Sequence, residues 1–250
     1  MPRLDRVEHQ DLLDQAHVQY RALRAAAITA GPGTPVPTCP GWDVAKLVHH
    51  LAGVNSWALA ALNTAPDGDR PGAEPRPEGW EELLAWWDDR FTAMNRVLAD
   101  AGPDAPAWTF AGPRSTAFWI RRQAHEMAIH RLDVEHALHG PEVPSLLFDP
   151  EFAADGVDEF LTVLLPRAAQ RDPVDRVGRL LWHAADAGRT WEVALVPGEP
   201  PAAGPAVGAA TDQDTTAAGT ADALYRLAWD RPSGAIVSGD RSLVDALPRP

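Results

Sequence analysis

Sulfur chemistry is nearly absent from this chain. Its one cysteine is Cys39, so no internal disulfide can form. The N-terminal stretch MPRLDRVEHQDLLDQ is polar and lacks the apolar centre of a secretory signal. Both features predict a reducing, cytoplasmic setting. No window approaches 18 consecutive apolar residues, so no membrane span is expected. Positive charge is scarce too: 22 Lys and Arg face 35 Asp and Glu, a formal charge of −13. General nucleic-acid binding needs a basic footprint and is not expected. Docking on anionic membranes is disfavoured for the same reason. Tyr (2) and Phe (6) are outnumbered by Trp (10), a residue that often sits where an apolar wall meets a polar site.

What is present is ordinary globular material, 45% hydrophobic and 23% charged, in a chain long enough for two modest domains. Four segments carry helical periodicity, at about 4–28, 43–64, 79–100 and 115–139. Gly- and Pro-rich breaks separate them: AGPGTPVPTCPGW, APDGDRPGAEPRPEG and AGPDAP. Pro40 and Gly41 set a turn before the second helix, Asp43 is a plausible N-cap, and Gly140 a plausible C-cap of the fourth. Four amphipathic helices of this length predict a four-helix bundle over 1–142. A different texture follows. A helix is expected at 149–165, strands at 178–186 and 190–198, a loop at 201–220, a helix in TADALYRLAWD, a strand in GAIVSG and a last short helix in RSLVDAL. The expected fold class is α+β, with residues 149–250 a small second domain of helices and strands.

The stretch RRQAHEMAIHRLDVEHALHG, residues 121–140, is rich in histidine. On a wheel of about 100° per residue, its apolar side runs through Ile120, Met127, Val134 and Leu138. Glu126 and His130, four apart, stack at the edge of that side, with Asp133 one turn on. His125 and His136 fall on the far side with Arg121. On the second helix Val44, Leu47, Val48 and Leu51 mark the buried side. His49 projects nearly opposite, while His50 flanks it on a stripe with Val54 and Trp57. His50, Glu126 and His130 therefore form a candidate His2Glu set, and three protein ligands with an open position are how catalytic zinc is held. The competing interpretation is a core-edge histidine and a glutamate paired with arginine. Glu-x-x-x-His recurs by chance, and this is not the His-Glu-x-x-His motif. Asp133 either orients a ligand from behind or pairs with Arg131 or Arg122, the pairing being the preferred reading. Arg121 and Arg122 are read as facing away from the trio. Cys39 is read as inert, with nothing cationic beside it.

PTCPGWDVAKLVHHLAG, followed downstream by AFWIRRQAHEMAIHRLDVEHALHG, resembles the mycothiol-dependent maleylpyruvate isomerase family, part of the DinB-like group of metal-binding four-helix bundles. RLAWDRP and GDRSLVDAL resemble that family's second domain. The resemblance implies a divalent metal, usually zinc, on His50, Glu126 and His130. It also implies mycothiol as thiol cosubstrate and an arginine from the second domain, here Arg231, as a catalytic residue. Metal coordination deprotonates a thiol, and the thiolate could isomerise a conjugated cis double bond by addition, rotation and elimination. It could equally stay on an electrophile, as in an S-transferase. The alternative is a non-catalytic metal- or thiol-binding protein. Small-molecule thiol and electrophile are the expected partners.

Overall fold

The computed structural model describes residues 8–144, 147–206 and 212–250. It forms two compact units, Glu8–Val143 and Pro144–Pro250. The first unit holds four long helices, α1 (His9–Ala30), α2 (Val44–Leu62), α3 (Trp80–Ala101) and α4 (Thr116–His139). They follow the periodicity expected of the bundle; positions 4–7 of the expected first helix lie outside the described residues.

Local chemistry sets the helix ends. Asp43 caps α2, its side chain accepting from the Lys46 N–H at 2.8 Å. Before it, Cys39-Pro40-Gly41-Trp42 forms a tight turn closed by Trp42 N–H to Cys39 O at 3.0 Å. Proline presets the second position, and Gly41 at φ 77° supplies the left-handed third. α4 ends at Gly140, whose N–H returns to His136 O at 2.9 Å.

α4 is the central strut. It packs against α1, α2 and α3, so it has almost no solvent face. Its buried residues include Arg122, Gln123, His125, His130, Asp133 and His136 beside the apolar set. His125 and His136, expected to point outward, are both buried. The wheel assumed one wet side, and a helix enclosed by three neighbours has none. A polar network fixes its register on α2. Asn55 Nδ2 donates to Gln123 Oε1 at 2.7 Å, and Trp87 Nε1 of α3 donates to Asn55 Oδ1 at 2.7 Å. All three side chains are inaccessible to water, so a slip of either helix would strand buried polar groups at about 1–3 kcal/mol each.

The second unit is a five-stranded sheet with helices. Its strands are β1 (Gly178–Ala184), β2 (Arg189–Leu195), β3 (Ala202–Pro205), β4 (Thr215–Gly219) and β5 (Ile236–Gly239), in the order β3-β2-β1-β4-β5. Only β1 and β4 pair in parallel. Alternation places Leu180, Trp182 and Ala184 of β1 and Trp191, Val193 and Leu195 of β2 in the core. Helix α5 (Pro150–Glu159) continues through a π turn (Phe160–Leu164) into α6 (Leu165–Ala168). α7 (Ala221–Ala228) packs on α5, β1 and β4, and α8 (Ser242–Asp245) on β1. The expected loop at 201–220 instead contributes β3 and β4; 207–211 lie outside the described residues. AAGP and TTAAG lack large alternating side chains, so nothing marked them as strands. β4 is nonetheless interior to the sheet, with Ala217 buried. No described helix is long and apolar enough to cross a membrane.

Gly156 marks a close helix–helix approach in this unit. A Cβ there would lie 2.5 Å from the ring of Tyr225, which is fully buried. Gly156→Ala gains helix propensity of about 0.5–1 kcal/mol but forces the α5–α7 contact apart, at about 1–3 kcal/mol. A net loss of stability is expected in urea unfolding; an unchanged or higher midpoint would contradict this packing account.

Candidate metal centre

Two helices bring the three candidate ligands together. Asn55 and Gln123 lock α2 to α4 a turn or so from His50 and Glu126, which sets the depth at which those side chains meet. His50 Nε2 lies 3.1 Å from Glu126 Oε1, and His130 Nε2 lies 3.5 Å from the same oxygen. Donor atoms of all three lie within 4.8 Å of one another. Four ligands placed tetrahedrally at zinc's usual bond lengths stand about 3.3 Å apart, so the observed spacings bracket those of a metal's coordination shell. The donor set, two imidazoles and one carboxylate, suits a first-row divalent ion. The side chains of Glu126 and His130 are 13% and 11% exposed, that of His50 38%, so the cluster opens to solvent on the α2 side.

Each ligand is held from behind. Asp133, fully buried, accepts from His130 Nδ1 at 2.9 Å. An ionised carboxylate only accepts, so Asp133 holds a proton on Nδ1, and Nε2 is the ring nitrogen left for a metal once it has lost its own proton. Asp133 is itself fixed by the loop before α2: Thr38 Oγ1 donates at 2.6 Å and Cys39 Sγ at 3.3 Å. Asp133 therefore braces a candidate ligand, one of the two roles the sequence allowed it. Cys39 sits against this same carboxylate and hydrogen-bonds with His130, so its expected isolation is also corrected. The Cys39, His130 and Asp133 donors form a second set within 4.8 Å of one another.

Arg122 corrects a further expectation. It does not face away. Its buried guanidinium reaches back one turn to Glu126, Nη2 to Oε2 at 3.1 Å. Arg121 is partly exposed. Glu126 thus has one oxygen toward the two imidazoles and the other on a cation. Burial alone would raise its pKa. Hydrogen bonds with His130 and His50 and the Arg122 charge outweigh burial and hold the carboxyl well below its usual range. Burial likewise disfavours the charged form of His130. Hydrogen bonds to Asp133, Cys39 and Glu126 prevail and raise its pKa well above that of free imidazole.

Trp42, at the turn before α2, walls the cluster. Its ring lies near parallel to that of His130 at 6.5 Å and is tilted against that of His50 at 5.2 Å. Beyond His50 on α2, Trp57 joins an aromatic group with Trp108, Phe110 and Trp119. Arg231, the remaining sequence candidate, belongs to the second unit, just after α7. Its Nη1 donates to Trp229 O at 2.7 Å, next to Asp230 at φ 55°.

Comparisons with known proteins show the family and the fold. Residues 13–135 match the model of the mycothiol maleylpyruvate isomerase N-terminal domain. Residues 151–246 match the model of that enzyme's C-terminal domain. Among solved structures, the mycothiol-dependent maleylpyruvate isomerase superposes with a TM-score of 0.61 at 13% identity, over 93% of both chains. A histidine-to-alanine variant of that enzyme gives the same TM-score and coverage at 12% identity. No curated protein sequence matches. With both domain models matched in order along nearly its whole length, the chain belongs to the mycothiol-dependent maleylpyruvate isomerase family.

Proposed function

We propose that this protein is a metal-dependent, mycothiol-using enzyme, with His50, Glu126 and His130 as metal ligands and Arg231 as a catalytic residue. The observation that carries the reading is the pair of 3.1 and 3.5 Å spacings among those three side chains, open on one side. A divalent cation held there, zinc by family resemblance, would supply the charge that makes an incoming thiol a thiolate at neutral pH.

The chain's own residues have separate duties. Asp133 holds a proton on His130 Nδ1 and so leaves Nε2 as the nitrogen for the metal. Arg122 holds Glu126 ionised and fixes which oxygen faces the cluster. Trp42 excludes water from one side, and the exposed flank of His50 admits the reactants. A mycothiol thiolate bound in this site adds to the conjugated cis double bond of the substrate. The former double bond rotates as a single bond, and expulsion of the thiolate restores the alkene in trans form. Addition without expulsion would give S-transfer instead. Isomerisation is the reading the family supports. Arg231 enters as the cation that steadies the negative charge developing on the electrophile.

Metal analysis of purified protein tests the ligands. His50→Ala and His130→Ala should each weaken zinc binding by more than about a hundredfold, since changes behind the ligands alone cost 10–100-fold. Native-like zinc affinity in both variants sinks the assignment. Proton competition gives a second test. Because the His130 pKa is raised above that of free imidazole, a cation must compete with a proton for Nε2 at any pH below that pKa. Zinc affinity should therefore climb about tenfold per pH unit, flattening once the pH passes the His130 pKa. Calorimetry in buffers of different ionisation enthalpy counts the released proton, and a pH-independent affinity would refute the coupling. Finally, Arg231→Ala should cut mycothiol-dependent turnover of maleylpyruvate by about tenfold or more with metal content unchanged. A native protein that binds metal but turns over nothing with thiol would favour a non-catalytic binder.

A further inference from the structure

Glycine is the least favourable residue after proline in a helix interior, yet Gly53 stands within α2, one turn beyond His50. The reason lies in the segment between α2 and α3. A Cβ built on Gly53 would fall 1.7 Å from Arg76 Nη1 and 2.8 Å from Arg76 Cζ. The guanidinium fills the space a side chain at 53 would take. Residues three apart on a helix are neighbours, with roughly 5–6 Å between Cβ positions. Arg76 therefore holds its guanidinium against α2 within one turn of His50, the most exposed of the trio.

This placement is anchored. Trp57 Nε1 donates to Pro71 O at 3.2 Å, and Ser56 Oγ donates to Glu74 Oε2 at 2.9 Å, which Arg90 Nη1 also reaches at 3.3 Å. Those bonds tie the segment to α2 between Arg70, which lies over Trp57 at 5.5 Å, and Arg76. Among the described residues, Arg76 has no hydrogen-bond or ion-pair partner. An unpaired guanidinium offers a planar fork of N–H donors suited to a carboxylate.

We propose that Arg76, admitted by the missing side chain at Gly53, binds a carboxylate of the electrophilic substrate beside His50 and makes the site selective for anionic electrophiles. The proposal rests on the trio being the reaction centre, but it can fail independently. The probe is maleate, a dicarboxylate, titrated without thiol into zinc-replete protein, with dimethyl maleate as its neutral counterpart. Arg76→Gln should weaken maleate binding about ten- to hundredfold, as expected for losing a charge-assisted hydrogen-bonded pair. Arg76→Lys should retain part of the affinity, and dimethyl maleate should not distinguish these proteins. Gly53→Ala displaces only the end of a flexible side chain, so it should melt at or above the native temperature while binding maleate more weakly. Zinc content should be native in all three variants. If native protein holds no zinc but maleate binding still falls in Arg76→Gln, the anion site stands and the metal reading fails. Native protein that ignores maleate, or equal maleate affinity in native, Arg76→Gln and Gly53→Ala proteins, overturns the assignment of Arg76.

Discussion

Glu126 is a carboxylate taken almost out of water, and the N-terminal unit is arranged around keeping it charged. An unpaired buried carboxylate costs several kcal/mol. Here one oxygen faces His50 and His130 and the other meets Arg122. Two of those partners come from α4 itself, four residues before and four after Glu126, so a helix alone supplies them. The third must come from another helix at the same height. That requirement gives the Asn55–Gln123 bond a bearing on the cluster as well as on the packing. It fixes the register in which α2 presents His50, and Trp87 extends the restraint to α3. Behind His130 the same logic repeats with Asp133, whose buried charge is satisfied by Thr38, Cys39 and the imidazole.

The trio was legible because its geometry is local. His50 sits at the rim of a clearly amphipathic helix, and Glu126 and His130 are one turn apart, so two helical wheels were enough to select them. The roles of Arg122, Asp133 and Cys39 were not legible, for two distinct reasons. Arg122 and Asp133 lie on a helix enclosed by three others, where polarity no longer marks the solvent side; His125 and His136 misled the wheel in the same way. Cys39 and Thr38 meet Asp133 across about 95 positions of chain, a distance no periodicity spans. Arg76 illustrates a third kind of silence. Its position is announced only by what Gly53 lacks, and a glycine inside a helical pattern does not name its visitor.

In the second unit the strong signals were the aromatic and β-branched ones. β1 and β2 alternate large buried residues with more accessible ones and were recognised from GRLLWHAAD and TWEVALVPG. β4 carries only Thr, Ala and Gly, yet it provides the parallel pairing at the sheet's interior. Small residues there have a packing reason. A side chain on Gly219 would stand 3.4 Å from the Ala235 backbone and 3.5 Å from Ala223, so α7 and the connection to β5 lie close over the strand. Compact packing of this kind removes the side-chain bulk that pattern reading depends on.

The net charge of −13 describes the protein's far field and says little about its centre. Exposed charges are screened over about 8 Å at physiological ionic strength. Groups inside the bundle are screened much less, so the sign of the site is set by its nearest neighbours. Arg122 cancels Glu126 there, two imidazoles add no fixed negative charge, and Asp133 is shared with the His130 proton. Arg70 and Arg76 both lie against α2, Arg76 within one turn of His50. An acidic protein can thus keep a neutral-to-positive pocket, provided that its few cations are spent there. The overall charge disfavours polyanions, whose many phosphates sample the far field, without disfavouring a small anion that reaches the pocket.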